Sequence, residues 1–301
     1  MTDKSVEATL AVEFGMSRKQ SLLIRAWWLV KSKPLGALGG FILIFAILVA
    51  IFAPVISPYD PEISDRTSRL TPPDTKHWFG TDHIARDVLS RVIYGSRVSL
   101  LVGFIAVVTS SVLGTALGVA SAYFGKTLDL LLQRVVDSMQ ALPGLVLALT
   151  LMAAMGPSLT AVIIAITAVR VPGTVRTVRS VALSVKASQY AEAARAVGAD
   201  DWRVMFRHIT PNCMAPVIVV GSAVLGGAIV TEASLSFLGL GVPPNIPTWG
   251  NMLGQAQERY IAAGPWTSVF PGLALTFTAF GINLLGDALR DILDPRLRGS
   301  R

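Results

Sequence analysis

Five stretches of this chain contain no Asp, Glu, Lys or Arg: Pro34 to Tyr59, Val98 to Gly125, Ser138 to Val169, Ile209 to Thr231 and Tyr260 to Gly286. A helix needs about 20 consecutive apolar residues to cross a hydrocarbon core, and every stretch is long enough. The third is broken by Gly156-Pro157 and flanked by Asp137 and Arg170. It reads as two spans joined by a tight turn, the first beginning near Thr127 and the second ending near Arg176. Six transmembrane helices result. With 52% hydrophobic and 15% charged residues and a mean hydropathy of +0.58, a chain of 301 residues is too apolar to be soluble.

Lys and Arg orient the bundle, because cytoplasmic flanks retain them. With the N-terminus inside, segments 1–33, 125–137, 170–212 and 290–301 hold 19 of the 26 basic residues, and the outer segments, chiefly 57–97, hold the remaining 7. This topology and contact with phospholipid account for the net charge of +7, so nucleic acid is not needed as a partner. Cys213 is the one cysteine, which rules out an internal disulfide. More than thirty largely polar residues precede the first apolar run, so that run is expected to remain as an anchor and not to leave as a signal peptide.

Between two of the apolar runs lies a polar island, Gln189 to Pro211. Ala191, Glu192, Ala193 and Ala194 favour a short helix, which Gly198 suits as a left-handed terminator. Asp200 or Asp201 can cap a second helix, in which Trp202, Met205, Phe206 and Ile209 form an apolar stripe, Arg203 and Arg207 share the other face, and Pro211 is the stop. Small residues on the first helix and aromatic anchors on the second suit docking in another protein's groove. An ordinary cytoplasmic helical hairpin is the alternative. The triplet Glu192-Ala193-Ala194, with Gly198, Ile209 and Pro211 at their spacings, resembles the EAA loop of ABC importer permeases, the element that seats in the ATPase subunit.

Elsewhere the polar residues are sparse. Ser17 to Lys33 reads as a helix in the inner headgroup layer, with Trp27 and Trp28 at the boundary, or as a plain basic flank. In the outer segment, Thr81 or Asp82 is expected to cap a helix with Ile84, Val88, Leu89, Val92 and Ile93 on one side, ending at Gly95. Gly114-x-x-x-Gly118, Ser222-x-x-x-Gly226 and Ala223-x-x-x-Gly227 would let helices approach closely, or are merely tolerated small residues. Gly125-Lys126-Thr127 is not a phosphate loop, because Ala120 stands where the first glycine belongs and a span precedes it instead of a strand. Asp129, Gln133 and Asp137 form a stripe beside Arg134, suited to pairing between helices near the cytoplasmic mouth or to direct substrate contact. Pro143 is expected to kink the third span. Glu232, near the outer boundary, faces the passage or a helix partner, or is solvated at the interface.

His77-Trp-Phe-Gly-Thr-Asp-His-Ile-Ala-Arg-Asp-Val-Leu-Ser-Arg91 resembles the characteristic segment of the dipeptide/oligopeptide/nickel permease family, departing at Ala85, where that family has glycine. Alanine is expected to be harmless there, as a residue inside a helix. Gly239 to Leu253 and Asn283 to Leu297 resemble the same family, whose C-type subunit is the nearest likeness. The resemblance implies an all-α membrane protein of the type I ABC importer permease (MetI-like) class. It divides the chain into a tail with the interfacial helix (1–33), the first span and outer loop (34–96), a core of five spans (97–290) with its coupling loop (185–212), and a tail (291–301).

The resemblance further implies no cofactor on this chain, with ATP and Mg held by two partner ATPase subunits. The other implied partners are a B-type permease subunit, an extracytoplasmic substrate-binding protein and the phospholipid membrane. Peptide is the expected cargo, with nickel, glutathione or other small cargo as alternatives. An intramembrane enzyme would need a nucleophile or metal set inside the spans, yet His77 and His83 lie in the outer loop, His208 in the polar island, and no His-Glu-x-x-His occurs. A stand-alone secondary transporter or channel is the other class. Replacing His77 and His83 by alanine is expected to matter little for peptide and to reduce uptake of nickel.

Overall fold

The computed structural model describes residues 33–64, 68–257 and 262–293, and within them every regular element is helical. Five helices are long and apolar enough to cross a membrane, and the number is six if a bent pair is counted as one span. The interfacial helix expected at Ser17 to Lys33 lies, but for Lys33, outside the described residues.

The first span is α1 (Pro34–Ile51), continued after a break at Phe52 by α2 (Ala53–Ile56). Next comes α3 (Val88–Phe124), at 37 residues far longer than a bilayer requires. The separate outer helix expected before it does not exist. Residues 81–87 form a compact turn closed by a bridge between Thr81 and Asp87, and Asp87 caps α3 by accepting from the Ser90 amide. Gly95 does not end the helix; it lies inside α3, where a Cβ would come 3.3 Å from Trp249 Cδ1.

Gly125, at φ +61, turns α3 into α4 (Lys126–Ala141), which meets α5 (Gly144–Met155) at 95°. Pro143 therefore breaks the span where a kink was expected. A residue before proline is pushed out of the helical region, and Leu142 is extended. Twelve residues rise about 18 Å, too little to cross a hydrocarbon core alone, so α5 needs α4 if this bent pair is to count as a span.

Gly156 ends α5 at φ +80, and Ser158 caps α6 (Leu159–Lys186) through the Ala161 amide. The turn falls at Gly156-Pro157 as expected, but α6 runs ten residues past Arg176. It can do so because its basic residues find partners: Arg176 pairs with Asp137 at 2.6 Å and Arg179 with Asp129 at 2.6 Å. Then follow α7 (Gln189–Ala196), α8 (Asp201–Val204), a π-turn (Met205–Ile209), α9 (Thr210–Phe237), α10 (Trp249–Gln257) and α11 (Trp266–Leu293).

The bundle is built around α3, which packs against α6, α9 and α1, while α11 lies against α1 and α9. Small residues set these distances. A Cβ on Gly114 would lie 2.5 Å from Thr174, and one on Gly118 2.9 Å from the Val175 carbonyl and from Val178. Gly226 likewise abuts Asn283, and Gly286 abuts Ser222 and Ala223. Without a hydrophobic drive between helices in lipid, such close packing is what holds them together. Val102, Ala106, Ala148, Met152, Val162, Ile166, Ala228 and Leu235 fill the centre.

Candidate functional site

The polar island folds into an elbow at one end of the bundle. After α7, the Gly198 amide donates to the Arg195 carbonyl and the Ala199 amide to the Ala194 carbonyl, at 2.9 and 3.0 Å. This is the two-bond helix terminator that needs a left-handed residue, and Gly198 has φ +84. Asp200 then caps α8 through the Arg203 amide.

Pro211 does not stop the second helix. A proline lacks an amide hydrogen, and its ring would strike the carbonyl four residues back. The backbone widens into the π-turn over Met205–Ile209, with the Thr210 amide reaching the Met205 carbonyl, and Pro211 falls in the first turn of α9. The chain thus runs from Asp201 to Phe237 without leaving helix, so the second arm of the elbow continues directly into a membrane span.

The π-turn also divides the expected apolar stripe. Met205 and Ile209 are buried with Val204 against Val119, Ala122, Val178, Ala182 and Cys213, whereas Trp202 and Phe206 are exposed at 63% and 62%. Those two rings stack with centroids 5.7 Å apart. They border an apolar groove of about 830 Å3 that runs between α3 and α9 past Phe104, Val108, Val112, Met214 and Ile218. The tip of the elbow is different: Glu192, Ala193, Ala196 and Gly198 are exposed, and Val197 is exposed at 85%. Ala191 is fully buried, and Ala194 is half-buried.

Tyr123, in the last turn of α3, fastens the elbow and was not singled out from sequence. Its hydroxyl is hydrogen-bonded to Asp201, and its ring lies 5.5 Å from Lys186 Nζ and 5.6 Å from Arg195 Cζ. Lys186 also donates to the carbonyls of Ala122 and Tyr123, which closes the C-terminal end of α3. A tyrosine ending an apolar run three residues before Lys126 was the available signal, but it is equally the pattern of an interfacial anchor.

Nearby, Asp129 accepts from both Nε and Nη2 of Arg179 at 2.6 Å and from Ser121 at 2.5 Å, and Gln133 reaches Ser121. Asp137 pairs with Arg176, while Arg134 is exposed. These contacts tie α4 to α3 and α6. Gly125-Lys126-Thr127 is the corner between α3 and α4, a helix-to-helix junction.

At the other end, residues 57–64, 68–87, 238–257 and 262–265 form a cap. Glu232 is fully buried there and accepts from Ser99 at 3.0 Å and Ser236 at 2.9 Å. Trp249, 2% exposed, donates from Nε1 to the Val92 carbonyl. Asp82 takes the amides of Ile84 and Arg86 and the Arg86 guanidinium, whose Nη2 reaches Gln255. His77 is buried with Nδ1 2.9 Å from Asp87, the cap of α3. Replacing it would therefore disturb the fold whatever the cargo, contrary to the expectation from sequence. Burial pushes the His83 imidazole below its ordinary range. Among the described residues no three His, Cys, Asp or Glu side chains are grouped to hold a metal.

Residues 114–299 match the family described as "Binding-protein-dependent transport system inner membrane component", and residues 21–73 match "N-terminal TM domain of oligopeptide transport permease C". The dipeptide transport system permease protein DppC of Alkalihalophilus pseudofirmus is 41% identical over 269 residues, 89% of this chain and 88% of that one. The di/tripeptide transport system permease protein DppC of Pseudomonas aeruginosa is 40% identical over 284 residues, 92% and 93% of the two chains. The glutathione transport system permease protein GsiD of Pectobacterium atrosepticum is 39% identical over 260 residues, 86% of each. The chain belongs to the family of binding-protein-dependent transport system inner membrane components, as a multi-pass permease subunit of an ABC importer and not an enzyme.

Proposed function

We propose that this chain is the C-type permease subunit of an ATP-driven peptide importer and forms half of its pore, a B-type permease subunit forming the other half. Two ATPase subunits hold ATP and Mg and grip the elbow, and an extracytoplasmic binding protein delivers cargo to the cap. The membrane is the bacterial inner membrane, with both termini cytoplasmic.

The observation that carries this reading is the elbow itself. Its tip exposes Glu192 and Val197, while its base is locked to α3 through Tyr123 and continues unbroken into α9. A pull on the tip is therefore transmitted to a span, because a continuous helix and a packed base move as one body. Peptide is favoured as cargo by the two peptide permeases among the relatives, and GsiD keeps glutathione, itself a tripeptide, within the same chemistry.

Cys213 is buried, so a cysteine introduced at Val197 is the only reactive one to expect from this chain in a cross-linking test. In the assembled importer Val197→Cys should cross-link to an ATPase subunit, and the yield should change with ATP. Glu192→Lys or Gly198→Pro should leave membrane insertion intact and abolish ATP-driven uptake in proteoliposomes. Unchanged uptake in both variants would overturn the docking role. A stand-alone transporter would carry peptide without any ATPase subunit, whereas this one should not.

A further inference from the structure

Of the three arginines on α6, Arg176 and Arg179 pair with carboxylates, and Arg170 has none within reach among the described residues. It lies eleven residues beyond Leu159, a rise of about 17 Å, which is close to the centre of a hydrocarbon layer about 30 Å thick. From sequence it reads as part of the cytoplasmic flank; the length of α6 moves it to membrane depth. An arginine there is costly unless it faces protein or a water-filled passage.

Its surroundings are built to hold it and do not neutralise it. The guanidinium lies over Gly227 of α9, where a Cβ would come 2.9 Å from Nη2. Nη2 donates to the Thr231 hydroxyl at a long 3.4 Å, and the buried Nε has no partner among the described residues. Planar guanidinium forks match carboxylates through two parallel hydrogen bonds, and a hydroxyl at 3.4 Å is a weak substitute.

The open side of this seam is polar. Gly173, Thr177, Ser180 and Ser184 follow Arg170 at i+3, i+7, i+10 and i+14, hence on one face of α6. A Cβ on Gly173 would meet nothing within 4 Å, and Ser180 and Ser184 are exposed. The groove between α3 and α9 carries no charged side chain; it is lined chiefly by Phe, Val, Ile and Met, with the hydroxyls of Ser111, Thr115, Thr210 and Ser222 among them. A hydroxyl-bearing face with a cation at mid-depth suits a wet passage, and the apolar groove suits lipid or a protein neighbour.

We infer that Arg170, backed by Thr231 and given room by Gly227, is a mid-membrane site that binds the C-terminal carboxylate of the peptide in transit. This rests on the peptide-importer reading. A terminal carboxylate is the one anion every peptide carries, so it offers a handle independent of side chains. The hydroxyl contact holds the guanidinium ready between passages, and a fixed ion pair would leave no donor for cargo.

The test uses the complete importer in proteoliposomes, with its binding protein saturated by either of two probes: a dipeptide, or the same dipeptide amidated at its C-terminus. Wild type should take up the acid about tenfold faster than the amide, the scale set by one charge-assisted hydrogen bond. Arg170→Gln should bring that ratio to about one by slowing the acid alone. Arg170→Lys keeps the charge without the fork and should give an intermediate ratio, which keeps the test decisive if the glutamine variant does not assemble. Because the binding protein is the same throughout, its own preference cancels from the change in ratio. If the variants slow both probes equally, or leave the ratio where it was, Arg170 serves packing or another subunit and the carboxylate site is wrong. If wild type takes up neither probe in the presence of ATP, the peptide-importer reading falls and this inference falls with it.

Discussion

The two ends of this bundle are held together by different means. In the cap, charged and aromatic side chains are buried and partnered: Glu232, Asp82, Arg86, Asp87, His77 and Trp249 each have hydrogen-bond or ion-pair partners, and the buried Arg91 Nη2 is the exception among the described residues of the cap. Close backbone approach adds to this, since a Cβ on Gly250 would lie 2.5 Å from the Ala233 carbonyl. The elbow rests instead on one tyrosine, a small apolar cluster and a widened helical turn, with most of its tip in solvent. Bistable motion draws on weakly held elements, whereas a densely satisfied polar network resists it. In the proposed importer the cap would serve as the fixed end and the elbow as the end that is moved.

If that contrast is right, equal insults should have unequal kinds of effect. The largest loss of stability is expected from Trp249→Ala, which empties a site walled by Gly95, Val92 and Ser99; truncation of a buried tryptophan costs about 3–5 kcal/mol. Thermal unfolding of the purified protein in detergent should show it, and a loss below about 1 kcal/mol would mean the cap is looser than drawn. Next, Asp87→Ala removes the cap of α3 and leaves His77 without its partner, at about 1–2 kcal/mol. Tyr123→Phe deletes one hydroxyl and should cost about 1 kcal/mol or less. Yet it should reduce ATP-driven uptake more than Asp87→Ala does. Uptake that follows stability in the same order across the two variants would erase the distinction between the ends.

The spans were readable because uninterrupted apolar runs have few alternatives in a long chain, and the Gly156-Pro157 turn was readable because glycine there ends one helix. What escaped depends on distant partners. Gly95 resembles a helix terminator until Trp249 is seen filling the space beside it, 154 positions along the chain. Arg176 and Arg179 resemble the end of a span until Asp137 and Asp129 are placed opposite them on α4. The π-turn before Pro211 leaves no periodic signature, so the stripe of Trp202, Met205, Phe206 and Ile209 looked like a single face when the extra residue in the turn divides it.

The smallest effect is expected at Ala85, where the physical account changes although the outcome does not. The residue is not in a helix; it is buried in the turn before α3 at φ +64, the region glycine favours. Holding alanine there costs about 1–2 kcal/mol. Two terms oppose that cost. Glycine would lose about 0.4–1 kcal/mol more chain entropy on folding, and the buried methyl contributes about 0.8 kcal/mol. The sum lies near zero, so Ala85→Gly should move stability by less than about 0.5 kcal/mol, read as a shift in the unfolding midpoint. Ala85→Val adds a branched side chain to the same strained backbone and should be clearly destabilising. If glycine instead stabilised the cap by well over 1 kcal/mol, strain would be stored in this turn, and the cap could no longer be the relaxed, fixed end against which the elbow works.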